Sequence, residues 1–378
     1  MAIRTSLFQF AKYFMTFCGL WKVPFSPKVQ RFYVVFSNVS HFVYCSFVLS
    51  LFVKALLIVV GFESSDNVFN AISVAVIMFD INFKAMIYVK FGLPRLFHQL
   101  MKEEQSIEEN SHQEISEYYL RQCELYVNIC TLQLVTTIFP TYFYILVNIL
   151  QFPLDAENFM YEMWIPFPVQ WKVLAIFKIV ICQYGIFMNT AVRSALQSLM
   201  MFITSQLWIL QVNIRNVFSE FSEEAAREEL GKLIRKHQFL IGFVEKVNDS
   251  VKYILLLEYL LDSINMAAAM LQIATASSVT EMTFTLVYFI LLLTQLVILA
   301  WSANEINTQS VEVSNAIYQS NWMDQNKSIK TTLLIMLIRA QKPLGLTIGP
   351  FRFMNLEASL MTMKASYTYS RVMTETYA

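Results

Sequence analysis

Basic side chains lie inside stretches that are apolar and long enough to cross a lipid bilayer, among them Lys54, Lys84, Lys178 and Arg193. A charge within a membrane is costly, so such residues usually line an ion or ligand pathway or pair with other groups of the protein. Lys84 and Arg193 lie near the predicted cytoplasmic ends of their segments, where a long side chain can extend to water, which favours a structural role. Lys178 lies in the outer half of its segment, so a ligand contact and a structural role both stay open.

Residues of the kinds that catalyse reactions or bind metals do not occur in the spacings that those chemistries need. The five cysteines include no pair with a two-residue gap, and the sequence contains no glycine-rich phosphate loop and no nucleophile elbow. The histidines are scattered too widely for a zinc site: His41, His98, His112 and His237. The sequence therefore predicts a protein that is not an enzyme and that needs no metal or other cofactor.

The composition is typical of a protein that is embedded in a membrane. Of the 378 residues, 56% are hydrophobic and 15% are charged, and the mean hydropathy is +0.48. A soluble domain is about 25% charged. The formal net charge is zero, which argues against nucleic acid as a partner. We therefore expect membrane lipid to surround much of the chain.

Seven segments are apolar over roughly the 20 residues that a membrane-crossing helix needs. The fourth continues to about residue 218 without a helix-breaking residue, and the fifth and sixth also extend beyond the bilayer at one end. Residues 1–20 include Lys12 and no small-residue cleavage site, so they are predicted to form an interfacial helix rather than a cleaved signal. The predicted crossings are residues 32–60, 68–89, 126–150, 171–202, 253–279, 282–303 and 351–376.

Lysine and arginine residues are distributed unevenly among the loops that join these segments. None occurs in the predicted loops at residues 61–67, 151–170 and 280–281, whereas every other loop and the amino-terminal stretch contain several. Because basic residues stay on the cytoplasmic side, the amino terminus is predicted to lie inside and the carboxy terminus outside. This orientation is opposite to that of a G-protein-coupled receptor.

The last apolar segment is interrupted by residues that end helices. Pro343 and Pro350 lack a backbone donor, and Gly345 and Gly349 weaken helical structure. In hydrocarbon, such a break persists only where protein or water covers it. The segment is therefore predicted to form two helices, at residues 333–341 and 351–376.

The sequence on both sides of this break resembles the carboxy-terminal signature of insect odorant receptors. The predicted outer loop also resembles that of the family, because an aromatic-proline element precedes the fourth helix. The resemblance covers roughly residues 164–373. It rests on residues 341–344, 351–357 and 364–369 and, in the outer loop, on residues 152–153 and 164–167.

This resemblance implies an all-α membrane protein with a bundle of seven transmembrane helices. The cytoplasmic ends of several helices would form an anchor bundle, and the last segment would comprise a cytoplasmic helix and a pore-lining helix. The resemblance implies the odorant-binding subunit of a heteromeric, odorant-gated, non-selective cation channel, a tetramer with the shared co-receptor. The expected ligand is a small volatile molecule, and the expected location is the plasma membrane of an olfactory neuron dendrite.

Two other receptor classes stay open as alternatives. A gustatory-type receptor channel would end in a motif of Thr, Tyr, an apolar run, Gln and Phe, which is missing after Thr368 and Tyr369. A G-protein-coupled receptor would have its amino terminus outside. The co-receptor itself resembles this chain but has a much longer loop between the fourth and fifth helices, so the ligand-binding subunit is the prediction.

The resemblance also implies which residues bind the odorant and which residues line the ion pore. Tyr184 and Tyr288 are candidates for an orienting hydrogen bond to the odorant, and Arg371 is unexpected in a cation pore. The pore and gate are expected at Tyr367, Ser370, Met373 and Thr374, and no metal site is expected. By topology, the odorant-binding set is Ile72, Ala75, Val76, Phe79, Thr136, Thr137, Pro140, Phe143, Phe177, Lys178, Ile181, Tyr184, Met188, Met270, Ile273, Phe284, Thr285 and Tyr288.

The same reasoning divides the chain into six regions. Residues 1–31 are the cytoplasmic interfacial segment, and residues 32–218 are the first four helices of the ligand-binding bundle. The remaining regions are a cytoplasmic loop and anchor at 219–252, the fifth and sixth helices at 253–303, a further anchor part at 304–342, and the pore-lining helix and outer tail at 343–378.

Overall fold

The computed structural model describes residues 6–21, 27–61, 68–90, 92–110, 113–151, 159–275 and 279–377. Within these residues the chain forms ten helices and a two-stranded hairpin. The elements are α1 Gln9–Phe17, α2 Pro27–Val60, α3 Val68–Lys90, α4 Leu93–Asn110, α5 Gln113–Gln151, α6 Trp171–Glu220, α7 Glu223–Thr275, α8 Val279–Gln319, α9 Lys327–Ala340, β1 Thr347–Ile348, β2 Arg352–Phe353 and α10 Leu356–Tyr377.

Several of these helices are long and apolar enough to cross a bilayer. By length and composition, five qualify among the described residues: Lys28–Val60, Gln113–Leu150, Trp171–Glu220, Glu223–Ala274 and Thr285–Gln319. The other two predicted crossings coincide with α3 and α10, which have 23 and 22 residues and so are roughly 33 Å long. The prediction of a helical, multi-pass membrane protein is confirmed, while the count of seven and the orientation stay predictions.

The longest helices extend well beyond the thickness of a bilayer. The helices α6, α7 and α8 contain 50, 53 and 41 residues, whereas about 20 residues cross the hydrocarbon core. The predicted uninterrupted continuation of the fourth crossing is therefore confirmed. Only two residues separate α6 from α7, since α6 ends at Glu220 and α7 begins at Glu223.

One compact unit comprises Met1–Glu109 and Cys130–Leu196. In it, α1 buries Ala11 and Met15. The residues just before this helix are also buried: Leu7 and Phe8 are fully buried, and the Phe8 and Phe97 ring centroids lie 5.4 Å apart. The backbone N–H of Leu7 donates to Oε1 of Glu104 at 2.8 Å, and Glu104 is only 3% exposed. Although Glu104 belongs to an acidic stretch of the sequence, it is not part of a solvated face, because it anchors the amino-terminal segment.

The second unit comprises Asn110–Ile129 and Gln197–Ala378. There, α7 packs against α8 and α10, and α8 packs against α9. The amide of Gln197 donates to Oγ of Ser302 at 2.6 Å, which joins α6 to α8.

Burial, together with the charge of Arg339, lowers the pKa of His237 to about 4, so this α7 side chain stays neutral near pH 7.

The interrupted last segment contains a hairpin that the sequence pattern did not reveal. Asn326 caps α9 by accepting the N–H of Ile329 at 3.0 Å. The strands β1 and β2 pair antiparallel, with Thr347 opposite Phe353. The predicted helix start at residue 351 is wrong, because α10 begins at Leu356 after Asn355, whose Oδ1 accepts the N–H of Ala358 at 2.9 Å.

Replacing Gly349 with alanine is expected to destabilise the hairpin by about 1–2 kcal/mol. Gly349 has φ +57, and a Cβ there would lie 3.0 Å from Cδ2 of Leu256. Its N–H also donates to the carbonyl of Lys252 at 2.9 Å, which a strained turn would weaken. Thermal unfolding of the detergent-purified chain measures the loss.

The matched control for this substitution is Gly242→Ala in α7. A Cβ at Gly242 meets nothing within 4 Å, and alanine favours a helix over glycine by about 1 kcal/mol. The control is therefore expected to be neutral or stabilising. Equal unfolding temperatures for the two variants would contradict the argument for the hairpin.

Candidate functional site

The ammonium group of Lys178 is held by the backbone of the loop that precedes α6. Its Nζ donates to the carbonyls of Phe159 at 3.0 Å and Tyr161 at 2.6 Å, and it lies 5.5 Å from the centroid of the Tyr161 ring. Lys178 is only 1% exposed. Carbonyl dipoles and an aromatic face compensate a buried cation, so the charge fixes this loop in place.

The loop itself is unusually well buried for a connecting segment. Phe159, Met160 and Tyr161 are 1%, 3% and 5% exposed. Met160 adopts a positive φ of 63, and its N–H donates to Oδ1 of Asn148 at 3.2 Å. The hydroxyl of Tyr144 donates to its carbonyl. Side chains from α5 and α6 therefore hold residues 159–161 as a cover over the end of the first unit.

Each of the other basic residues that the sequence singled out also contacts an acceptor within the protein. Lys84 pairs with Asp80 at 2.6 Å, and both residues are buried. Lys54 lies 3.6 Å from the carboxylate of Glu162, and Nε of Arg193 donates to Oδ1 of Asn189 at 3.3 Å. These contacts fit a structural role for Lys84 and Arg193, although Lys84 is buried against Asp80 and does not extend to water as expected.

Beneath the loop, aromatic side chains of α2 and α6 form a continuous cluster with Tyr161. The Phe47 ring centroid lies 5.8 Å from that of Tyr161 and 6.3 Å from that of Phe177. The ring centroids of Tyr44 and Tyr184 lie 5.6 Å apart. Aromatic walls with a few hydroxyl groups are typical of sites for small organic ligands. We call Tyr44, Phe47, Tyr161, Phe177 and Tyr184 the aromatic cluster.

The hydroxyl of Tyr184 has a partner within the protein. It donates to the carbonyl of Cys18 at 2.9 Å. A phenolic oxygen can accept as well as donate, so a ligand donor could still reach it. The expected hydrogen bond from Tyr184 to an odorant stays a prediction.

The predicted odorant-binding residues differ in burial, and the structure assigns them to two units. Residues 72–188 of the set belong to the first unit and residues 270–288 to the second. The side chains of Ile72 and Phe284 lie outside the described part. Among the others, Ala75, Lys178, Ile181, Met188 and Thr285 are buried, Phe79 and Phe143 are exposed, and Val76, Thr136, Thr137, Pro140, Phe177, Tyr184, Met270, Ile273 and Tyr288 are half-buried.

Three members of the aromatic cluster were missed by sequence reasoning. Tyr44 and Phe47 lie on α2, which was not assigned to the ligand site, and Tyr161 lies in the loop. The spacing of Tyr44 and Phe47, three residues apart, places both on one helix face. That spacing in the first crossing is the signal that could have identified them.

The last helix, α10, packs one polar stripe against α7. Oγ of Ser366 donates to the carbonyl of Ser263 at 3.0 Å, and the hydroxyls of Ser359 and Tyr259 lie 3.1 Å apart. Ser359 and Ser366 are 1% and 0% exposed. Small residues let helices approach closely in a membrane, so this stripe is the packed face of α10.

The predicted pore residues do not all share one face of α10. Tyr367 is 58% exposed, whereas Ser370 is 7% exposed and lies on the packed side. Arg371 is exposed and follows Tyr367 by four residues, which places it on the same face. The side chains of Met373 and Thr374 lie outside the described part.

Comparison with known proteins assigns residues 66–367 to a family model described as the 7tm odorant receptor. Odorant receptor 10 of Aedes albopictus is 26% identical over 211 residues, which are 55% of this chain and 56% of that protein. Odorant receptor 30a of Drosophila melanogaster is 26% identical over 196 residues, 52% of this chain and 50% of that protein. These alignments span about half the length of the relatives.

The fold is similar to that of a solved receptor over nearly its whole length. The olfactory receptor OR5 from Machilis hrabei superposes with a TM-score of 0.72 at 17% identity, covering 96% of both chains. Its structure in complex with eugenol gives the same TM-score and identity over 97% of both chains. This likeness shows a shared fold.

Proposed function

The chain belongs to the 7tm odorant receptor family, and from that premise we propose that it is the odorant-binding subunit of a heteromeric, odorant-gated, non-selective cation channel. The observation that carries the ligand-binding part is the aromatic cluster covered by residues 159–161. A small volatile molecule offers mostly apolar surface, which such a cluster is suited to bury. That the related receptor was solved with eugenol supports the same ligand class.

The size of a volatile ligand limits its affinity. Burial of about 200 Å² of apolar surface at roughly 25 cal/mol per Å² contributes about 5 kcal/mol before the cost of association. One or two hydrogen bonds add about 1 kcal/mol each and orient the ligand. The expected dissociation constant is therefore roughly millimolar to micromolar.

The proposed pore runs along the face of α10 that its own chain leaves uncovered. Leu360 and Tyr367 on that face are 56% and 58% exposed. The gate is proposed at Met373 and Thr374, where an apolar constriction would exclude water until α10 tilts. Arg371 on the same face would disfavour cations, so we propose that the partner subunits determine ion selectivity.

Assembly with a co-receptor is proposed to use an exposed apolar face of α9. Leu334, Ile335 and Ile338 are 56%, 65% and 57% exposed. A helix that exposes such a face to water would be costly, so a partner subunit is expected to cover it. The two-residue connection between α6 and α7 supports the tuning subunit over the co-receptor, which resembles this chain but has a longer loop.

The proposed orientation places the amino terminus in the cytoplasm and the carboxy terminus outside, in the plasma membrane of an olfactory neuron dendrite. The absence of Lys and Arg from the predicted outer loops supports this orientation. The cover at residues 159–161 would then lie at the outer surface, where volatile molecules arrive.

Whole-cell recording tests the proposed function. Cells that express this chain with the co-receptor are exposed to a panel of volatiles, and at least one volatile is expected to evoke a cation current within milliseconds. The current should persist when G-protein signalling is blocked and should be absent with either subunit alone. A response that needs a G protein would overturn the proposal.

A further inference from the structure

A cavity of about 260 Å³ lies where the hairpin before α10 meets α7. Its walls combine basic, polar and aromatic side chains with the backbone of the hairpin turn. None of these residues belongs to the aromatic cluster or to the packed face of α10. The lining is Asn248, Lys252, Thr347, Gly349, Pro350, Phe351, Arg352 and Phe353.

Hydrogen bonds join the two walls of the cavity. Oδ1 of Asn248 accepts the N–H of Thr347 at 2.7 Å and its hydroxyl at 3.1 Å. The N–H of Gly349 donates to the carbonyl of Lys252 at 2.9 Å. A ligand in this cavity would therefore contact both α7 and the hairpin that leads into α10.

The two charged residues of the lining are both basic. The Arg352 guanidinium donates to the sulfur of Met361, which is a weak acceptor. Its planar fork is suited to bind a phosphate through two hydrogen bonds. Lys252 pairs with Asp249 at 2.7 Å, which raises the pKa of its ammonium group. The Asp249 side chain is 71% exposed, so solvent screens and weakens its ion pair with Lys252.

Exposed aromatic residues in the lining and next to it in the sequence indicate the position of the cavity along the membrane normal. Tyr253, Phe351 and Phe353 are 62%, 75% and 40% exposed, and Lys252 lies 5.6 Å from the Tyr253 ring centroid. Exposed aromatic residues beside basic ones are typical of the boundary between membrane and water. With the proposed orientation, this boundary faces the cytoplasm.

We propose that this cavity binds the phosphate-bearing headgroup of an anionic lipid from the cytoplasmic leaflet. Arg352 and Lys252 hold the phosphate, and the exposed phenylalanine rings contact the acyl region. Basic pockets on the cytoplasmic side of membrane helices recognise such headgroups. The choice of leaflet rests on the orientation in the proposed function, whereas the site itself rests on the lining.

Binding at this place would affect gating, because the headgroup would link α7 to the start of α10. A ligand shifts a conformational equilibrium only by its difference in affinity for the two states. A tilt of α10 would move Arg352 relative to Lys252, and so the lipid would favour the state in which both contact the phosphate.

Native mass spectrometry of the full chain tests the site. The chain is purified in neutral detergent and titrated with phosphatidylinositol bisphosphate, and retained lipid is counted. Arg352→Gln is expected to weaken binding roughly tenfold, because hydrogen bonds to a charged group are lost. Lys252→Gln should weaken it less, and Asp249→Asn should strengthen it about threefold, since a competing carboxylate is removed.

The control is Lys246→Gln, which removes an exposed charge from the same stretch of α7 outside the cavity. Binding to this variant should stay within about twofold of the unchanged chain, since a screened surface charge contributes little. Equal losses in Lys246→Gln and Arg352→Gln would indicate general charge attraction and overturn the site.

A competition experiment with free inositol phosphate is the second test. Inositol phosphate should compete at least tenfold more weakly than the lipid, because it lacks the acyl chains. Equal competition would assign the cavity to a soluble phosphate ligand and overturn the lipid proposal. Because the assay contains no volatile, it can succeed when odorant-evoked current fails, and the two proposals can be rejected separately.

Discussion

Replacing Lys178 with methionine is expected to lower the free energy of unfolding by about 3 kcal/mol, since two charge-assisted hydrogen bonds are lost. The carbonyls of Phe159 and Tyr161 would lose their donor in a buried place. Methionine keeps much of the apolar stem, so the effect reports on the ammonium group rather than on packing. The loop at 159–161 should then detach from the aromatic cluster.

Thermal unfolding in detergent and protease sensitivity of the loop in intact cells measure this effect. Lys172→Met is the matched control, because Lys172 is exposed on the same helix. Lys178→Arg should retain part of the stability, since a guanidinium can still donate to one carbonyl. If Lys178→Met and Lys172→Met unfold at the same temperature, the ammonium group does not hold the loop.

Introducing glutamate at both Leu334 and Ile338 is expected to abolish assembly with the co-receptor. These side chains are 56% and 57% exposed in the single chain. If a partner covers them, two unpaired carboxylates would be buried, at several kcal/mol each. The amount of complex should therefore fall more than a hundredfold, and the odorant-evoked current should disappear with it.

Co-purification of the tagged co-receptor with this chain measures assembly. Gln238→Glu is the control, since it places a negative charge at an exposed polar position of α7. Both variants should fold as single chains, which circular dichroism and size-exclusion chromatography would check. Normal co-purification of the double variant would show that the exposed face of α9 does not contact the partner.

Long, periodic features of this chain could be predicted from the sequence. The continuous α6 follows from 50 residues without a proline, and the break before α10 follows from Pro343 and Pro350. Both depend on local backbone rules that act within a few residues. The sequence therefore predicts that these elements exist, although the start of α10 differs from the prediction by five residues.

Features that depend on long-range contacts could not be predicted in the same way. The two-residue strands β1 and β2 are too short to show a periodic pattern, and their turn depends on contact with Leu256. Glu104 resembles a solvated residue in the sequence, and only the fold shows that the N–H of Leu7 donates to it. For Lys178, the sequence showed a charge in a membrane, but only the fold shows which carbonyls it meets.

Recording from a planar bilayer tests the central claim most directly. The purified complex of this chain with the co-receptor is reconstituted without G proteins or nucleotides, and a volatile that is active in cells is added. Discrete cation conductances are expected to appear with the volatile and to vanish when it is washed out. A silent bilayer that conducts only after G protein and nucleotide are supplied would contradict the claim.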